Sequence, residues 1–310
     1  MSGLGYEPVI GLEIHVQLAT RTKMFCGCAL GFGEPINTRT CPVCLGHPGA
    51  LPTLNAQAVR LAIVTGLALG STIAERSTFH RKNYFYPDLP KAYQISQYDE
   101  PIAIGGEFLV LGEEGVTKVG ITRAHLEEDA AKLVHLGAGG RRADADESVV
   151  DFNRGGTPLL EIVTEPDIDS ARDAAEFLRQ LRLTLRHLGV SDCNMEEGSM
   201  RVDANVSVRP RGESELGTKA EVKNMNSFKS LHDALLYEIV RQVEEIENGG
   251  SIVQETRHWD AGAKRTSALR SKEEAHDYRY FPEPDMVPFE FSEEYVERIE
   301  KKLPELPDAK

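Results

Sequence analysis

Positive charge is scarce in this chain: 49 acidic residues stand against 35 lysines and arginines, for a formal net charge of −14. A surface this acidic repels a phosphate backbone, so a nucleic-acid partner would have to be gripped mostly elsewhere. Long apolar runs are missing too. None approaches the ~20 residues of a membrane span, and the first residues lack a basic segment followed by an apolar stretch. The expectation is a chain with no secretory leader and no membrane contact, working in the cytoplasm. Five cysteines in 310 residues are too few for a secreted disulfide scaffold.

Several familiar signatures are absent. There is no G-x-x-x-x-G-K-[ST], hence no P-loop, and no G-x-G-x-x-G after a strand, hence no Rossmann fingerprint. No G-x-S-x-G or Ser-Lys amidase pattern points to acyl-enzyme chemistry. The H-E-x-x-H of a catalytic zinc site is also missing, which weakens a metal-dependent hydrolase. No repeat array or low-complexity tract occurs. The length suits one large α+β domain or two ordinary ones.

What is present is patterned. Amphipathic stretches predict helices over 55–70, opening at Asn55; over 169–189, with Ala174, Phe177, Leu178, Leu181, Leu185 and Leu188 on one stripe; and over 227–250, with Phe228, Leu231, Leu235 and Ile239. A last one starts near Ser292 and ends before Pro304. The stretch 136–148, LGAGGRRADADES, reads as an exposed hairpin tip or disordered loop.

Three segments alternate with period two. In RVDANVSVR, 201–209, Val202, Ala204, Val206 and Val208 oppose Arg201, Asp203, Asn205, Ser207 and Arg209. In GLEIHVQL, 11–18, Leu12, Ile14, Val16 and Leu18 oppose Glu13, His15 and Gln17. In KAEVKN, 219–224, Ala220 and Val222 oppose Lys219, Glu221 and Lys223. Each strand has one apolar and one polar face. The plain reading is a sheet with helices on one side and water on the other. Solvated faces favour Thr, Lys, Ser and Gln, however, whereas these carry Glu, His, Asp, Asn and Arg. Carboxylates crowded on one face repel one another unless a cation sits among them, so a metal-lined active face is the competing reading.

Two kinds of metal ligand follow one another at the start of the chain. Cys26-Gly-Cys28 and Cys41-Pro-Val-Cys44 form a C-x-C, twelve-residue, C-x-x-C arrangement. That is the spacing of a structural zinc knuckle; four sulfur ligands leave no open position, so such a zinc would not catalyse. Free thiols, or a redox pair at Cys41 and Cys44, are the alternatives, and Cys193 reads as a small buried apolar residue. Glu13, His15, Glu127, Glu128, Glu161 and Glu221 are harder ligands of the kind that suit Mg²⁺ or Mn²⁺. Arg123, Arg201, Arg209, Lys219 and Lys223 could hold a phosphate, although each alone is better explained as a solvated charge.

Ten stretches, in order from residue 11 to residue 285, resemble one family: GLEIHVQL, KMFCGC, CPVCLGHPGALP, NYFYPDLPKAYQISQYD, HLEEDAAK, DFNRGGTPLLEIVTEPD, MEEGSMRVDANVSVR, GTKAEVKNMNSF, QETRHWD and DYRYFPEPD. The chain resembles the B subunits, the kinase and transamidase subunits, of the aspartyl/glutamyl-tRNA(Asn/Gln) amidotransferases. The resemblance implies an α+β cradle over residues 1–291, a curved and mainly antiparallel sheet with outer helices, like glutamine synthetase and the guanido kinases. Residues 22–50 would be its zinc knuckle. It implies an ATP- and Mg²⁺-dependent ligase step: phosphorylation of the side-chain carboxylate of Glu or Asp misloaded on tRNA(Gln) or tRNA(Asn), then amidation by ammonia. The ammonia would come from glutamine through an amidase (glutaminase) partner, and a small third polypeptide would complete a heterotrimer. By motif position, His15, Glu128 and Glu161 would hold one Mg²⁺, and Glu13 and Glu221 a second one that arrives with nucleotide. Cys26, Cys28, Cys41 and Cys44 would hold structural Zn²⁺. Strand alternation adds Arg201, Asp203, Ser207 and Lys223 to the nucleotide-binding face. Family members continue past LPELPD into helical and tail regions that grip tRNA. Residues 292–310 would therefore begin a linker to a tRNA-binding region absent from this sequence, leaving contact with the acceptor end only. A zinc-stabilised scaffold with no activity of its own is the alternative.

Overall fold

The structure, a computed structural model, describes residues 5–112, 115–136, 147–271 and 278–307. Along the chain lie β1 (Tyr6–Gln17), α1 (Ala56–Ala68), β2 (Thr72–Ile73), β3 (Arg76–Ser77), β4 (His80–Asn83), β5 (Tyr93–Ser96), β6 (Ala103–Ile104), β7 (Glu107–Gly112) and β8 (Gly115–Glu128). After them come β9 (Lys132–Leu136), β10 (Glu147–Asp151), β11 (Pro158–Thr164), α2 (Ala171–His187), β12 (Met200–Pro210), β13 (Ala220–Lys223) and α3 (Phe228–Glu247). The last are β14 (Glu255–Asp260), β15 (Arg265–Ser271), β16 (Phe281–Pro282), β17 (Phe289–Glu290) and α4 (Glu293–Glu300). Most of the expected loop at 136–148 lies outside the described residues; the strands flanking it, β9 and β10, pair antiparallel.

The fold is α+β, with few helices and one large mixed sheet. Its backbone order is β15-β14-β13-β12-β1-β11-β8-β5-β4-β16, and β2, β6 and β7 join at β8. Among the described pairings only β13 with β14 is parallel; the others are antiparallel, as short connections favour. Two longer strands, β1 and β12, pair from Tyr6↔Pro210 to Val16↔Met200, and β1 pairs with β11 on its other edge.

Alternation sets the two faces. Ile10, Leu12, Ile14 and Val16 of β1 are buried, as are Val202, Ala204, Val206 and Val208 of β12. They join the inner stripes of α1, α2 and α3 in one core. The expected stripe of α2 is buried from Ala174 to Leu185, with Leu188 packed at its margin. Each helix starts where a capping side chain accepts its first free N–H groups: Asn55, Ser170, Ser227 and Ser292.

Asn55 does more than cap. Its amide also donates to Thr22 O (3.1 Å), Thr22 Oγ1 (3.0 Å) and Lys23 O (3.3 Å), which ties α1 to the turn that carries Cys26 and Cys28. Ser170 caps α2 through one bond to Asp173 N. Replacing Asn55 with Ala should therefore cost more stability than Ser170→Ala, about 2 kcal/mol against about 1, as read from urea midpoints.

Candidate active site and cysteine cluster

The polar face of the central strands is set out in registered rows. One row runs Arg201 (β12)–His15 (β1)–Glu161 (β11)–His125 (β8). The next, two residues along, runs Lys223 side by side with Asp203, then Glu13. On the other side, Leu159 of β11 faces Glu127, which in turn faces Ser96 of β5. These rows floor an open cavity of about 910 Å³.

Three of its side chains converge. His15 Nε2 lies 3.3 Å from Glu161 Oε2 and 3.5 Å from Glu127 Oε1, and one ligand atom from each lies within 4.8 Å of the other two. His125 Nε2 approaches Glu161 Oε2 at 3.4 Å from the next strand. The group is largely buried, and its protonation reflects that. Burial pulls His15 toward the neutral form, but the hydrogen bond to Glu161 and the charges of Glu127 and Glu161 together raise it to about 9. Glu127 is raised, first by burial and then by the Glu161 charge. Glu161 is held well below the usual range: burial opposes ionisation, and the charges and hydrogen bonds of His125 and His15 outweigh it. Two carboxylates and an imidazole at this spacing fit a hard divalent cation that keeps some of its waters.

Glu128 is not in this group. The motif resemblance puts it beside His15 and Glu161, yet its side chain is on the other side of β8. There it pairs with Lys91 and accepts the Ile95 N–H at 3.0 Å. The reason is strand parity: Ala124 and Leu126 are buried in the core, so His125 and Glu127 face the cavity and Glu128 faces away. The apolar residues at 124 and 126 carried that signal in the sequence. His125 was missed altogether, because a lone histidine between apolar neighbours has no local mark of a site.

Glu13 and Glu221 line the cavity but belong to no cluster of three metal-ligand residues among those described. Glu13 accepts from Asn205 Nδ2 (2.9 Å) and Glu221 from Thr256 Oγ1 (2.9 Å). Lys223 Nζ sits 2.5 Å from Asp203 and 3.0 Å from Glu221. Burial alone would lower its pKa, and those two carboxylates raise it instead. Arg201 is engaged as well, donating to the buried Asp129 at 3.0 Å. Ser207 does not line the cavity. It is buried at the far end of β12, where its cross-strand neighbour is Val9. Arg209 pairs with Glu7 at 2.7 Å beyond it, and Lys219 is exposed. Among the described residues, seven carboxylates line the cavity against three lysine and arginine cations. An anionic ligand would meet repulsion there unless a divalent cation entered with it.

The four expected cysteines come together. One sulfur from each of Cys26, Cys28, Cys41 and Cys44 lies within 4.8 Å of the other three, a group that could hold a metal such as zinc. Cys44 is already poised as a thiolate, lowered to about 4 first by the hydrogen bond from Cys26, with the Cys41 N–H and Lys23 adding to it. Cys26 is raised, chiefly by the same bond to Cys44, and burial pushes Cys28 up to about 11. The fully buried Lys23 donates to Cys44 Sγ (3.5 Å) and to Phe152 O (2.9 Å). Gly156, at φ +84°, lets the 152–157 turn pass close to Lys23 and Cys44 and accepts the Met24 N–H at 2.7 Å. Cys193 is buried and far from the group in sequence, as a core residue.

Comparison with known proteins settles the family. A model of the GatB/GatE catalytic domain matches residues 8–297. The chain belongs to the GatB/GatE catalytic-domain family. Curated relatives named as the B subunit of aspartyl/glutamyl-tRNA(Asn/Gln) amidotransferase include those of Brevibacillus brevis, 56% identical over 306 residues, and Caldanaerobacter subterraneus, 57% identical over 305. Each alignment covers 98% of this chain and 63% of the relative, so the chain spans under two thirds of the length of the proteins it matches.

Three outcomes follow from this geometry. Glu127→Gln should weaken Mn²⁺ binding at least about tenfold. Glu128→Gln should leave Mn²⁺ binding unchanged and destabilise the fold by about 2 kcal/mol or more, because it strands Lys91; calorimetry and urea unfolding separate the two. His15 is protonated below about 9 in the metal-free chain, so a cation must displace that proton. Mn²⁺ affinity should therefore rise with pH through neutrality and level off above that value, with about one proton released per ion in buffers of different ionisation enthalpy. Finally, elemental analysis of chain purified without chelator should find about one zinc, and Cys41→Ser should lose it and lower the unfolding midpoint.

Proposed function

We propose that the cavity is the carboxylate-activating site of a tRNA-dependent amidotransferase, in a cytoplasmic complex with an amidase (glutaminase) partner and a small third polypeptide. The site would use Mg·ATP to phosphorylate the side-chain carboxylate of Glu on tRNA(Gln) or Asp on tRNA(Asn). Ammonia would then displace the phosphate and leave the amide, making the chain the kinase and transamidase part of a carbon–nitrogen ligase. The observation that carries this reading is the His15/Glu127/Glu161 cluster at the floor of an open, carboxylate-rich cavity, in a chain of the GatB/GatE catalytic-domain family.

The chemistry asks for what these residues offer. Carboxylate and γ-phosphoryl are both anionic, so attack is limited by positioning and charge neutralisation. A divalent cation held there would supply that neutralisation. His15, Glu127 and Glu161 would hold it, with His125 steadying Glu161 from behind. Glu13 and Glu221 would receive a second cation once Lys223 gives way or is joined by nucleotide. Arg201 and Asp203 would border the phosphates, with Arg201 fixed by Asp129. The four cysteines would hold structural zinc and brace the turn before α1. The large, mainly antiparallel sheet is compatible with a cradle of the glutamine synthetase and guanido kinase kind. The acidic balance is consistent with tRNA being presented at its acceptor end and gripped elsewhere.

In the reassembled complex supplied with misacylated tRNA, Glu161→Gln should cut ATP-dependent phosphate release by at least about 100-fold while assembly persists. Undiminished release would remove the site assignment. Losses that track only with docking of the partner polypeptides, never with ATP turnover, would favour the scaffold reading.

A further inference from the structure

Among the described residues three lysine and arginine cations line the cavity, and two are already neutralised. Arg201 is held by Asp129, and Lys223 by Asp203 and Glu221. The third, Lys82, has no carboxylate and no hydrogen-bond partner among the described residues. Its ammonium lies 4.8 Å over the ring of Tyr278, a contact weaker than an ion pair. It is partly buried, where an unpaired charge is costly, and so its position calls for a ligand.

Its placement narrows the ligand. Lys82 is on β4 opposite Gln94 of β5, and two residues further along β5, Ser96 faces Glu127 of β8. Lys82 and Glu127 are therefore on one face of the sheet, two strands across and two residues along, with roughly 12 Å between their backbones. Both line the same cavity, and the charges of Glu127 and Glu161 act on Lys82 across it. A cation seated on the carboxylate cluster and the Lys82 ammonium would thus face each other over a gap. A tetrahedral anion can bridge such a pair, with oxygens on both.

We infer that Lys82 is the anion-binding residue of this cavity, taking phosphoryl oxygens of a ligand whose other oxygens meet the divalent cation at His15, Glu127 and Glu161. This rests on the reading of the cavity as a nucleotide-using site. The shared chemistry is a phosphoryl group, from a nucleoside triphosphate or from free phosphate.

The test is calorimetry on the 310-residue chain with Mn²⁺ alone, then with ATP or inorganic phosphate in saturating Mn²⁺. Wild type, Lys82→Met and Lys82→Arg are compared. The expected result is Mn²⁺ binding by all three variants, ATP affinity reduced about tenfold or more in Lys82→Met, and most of that loss restored in Lys82→Arg. Loss of ATP and phosphate binding in parallel would place Lys82 on a terminal phosphoryl group, and loss of ATP alone on one inside the chain of phosphates; both support the inference. Equal ATP affinity in wild type and Lys82→Met overturns the inference and leaves the functional reading standing. Wild-type chain that binds Mn²⁺ but neither ATP nor phosphate overturns both.

Discussion

Everything at the cavity depends on the antiparallel register of four strands: β12, β1, β11 and β8. That register puts Arg201, His15, Glu161 and His125 in one row across the sheet. Because side chains alternate along a strand, a slip of one residue in any pairing would exchange a polar row for an apolar one. The buried partners Ile14, Val202, Ile162 and Ala124 make that slip expensive. The core thus fixes the site from behind: the apolar face can be buried against α1, α2 and α3 in only one way, and the polar face follows.

The electrostatics of the cavity follow from the same constraint. Strand spacing brings acidic residues from several segments within reach of one another, and the protein balances them unevenly. Where Lys223 and Arg201 stand, the carboxylates are neutralised. At Glu127 and Glu161 no lysine or arginine makes an ion pair among the described residues, and burial is outweighed by the hydrogen bond to Glu161 and the two carboxylate charges, which raise His15 to about 9. A cation binding at this cluster would have to compete with the proton on His15. The cysteine group has a different logic. Cys44 is held as a thiolate by hydrogen bonds and by the buried Lys23, so one ligand is prepared before any metal arrives. Lys23 also reaches the backbone of the 152–157 turn, which leads directly into β11. The knuckle and the active strand are braced by one side chain.

Family membership rests on a match that runs along nearly the whole chain. The cavity, its cluster and its surplus of carboxylates are features of geometry. The comparison supplies the family to which the chain belongs.

Sequence alone determined the four helices and the parity of three strands, β1, β12 and β13. Helix stripes, the cap at Asn55, the helix starts near Ser227 and Ser292, and the polar faces of β1, β12 and β13 were legible because each is a local pattern. The cysteine group was legible because its ligands come in two close pairs. Motif resemblance chose Glu128 over Glu127, although the alternation through Ala124 and Leu126 pointed to Glu127. Ser207 had the correct parity but not the correct depth, since parity does not say where along a strand a cavity ends. Only the tertiary structure decided which strands are neighbours. It therefore decided that His125, 110 positions from His15 in the chain, stands behind Glu161, that Asp129 restrains Arg201, and that Lys82 makes no ion pair among the described residues. Pairings between strands distant in sequence are set by the summed burial of whole faces, and no single segment carries that information.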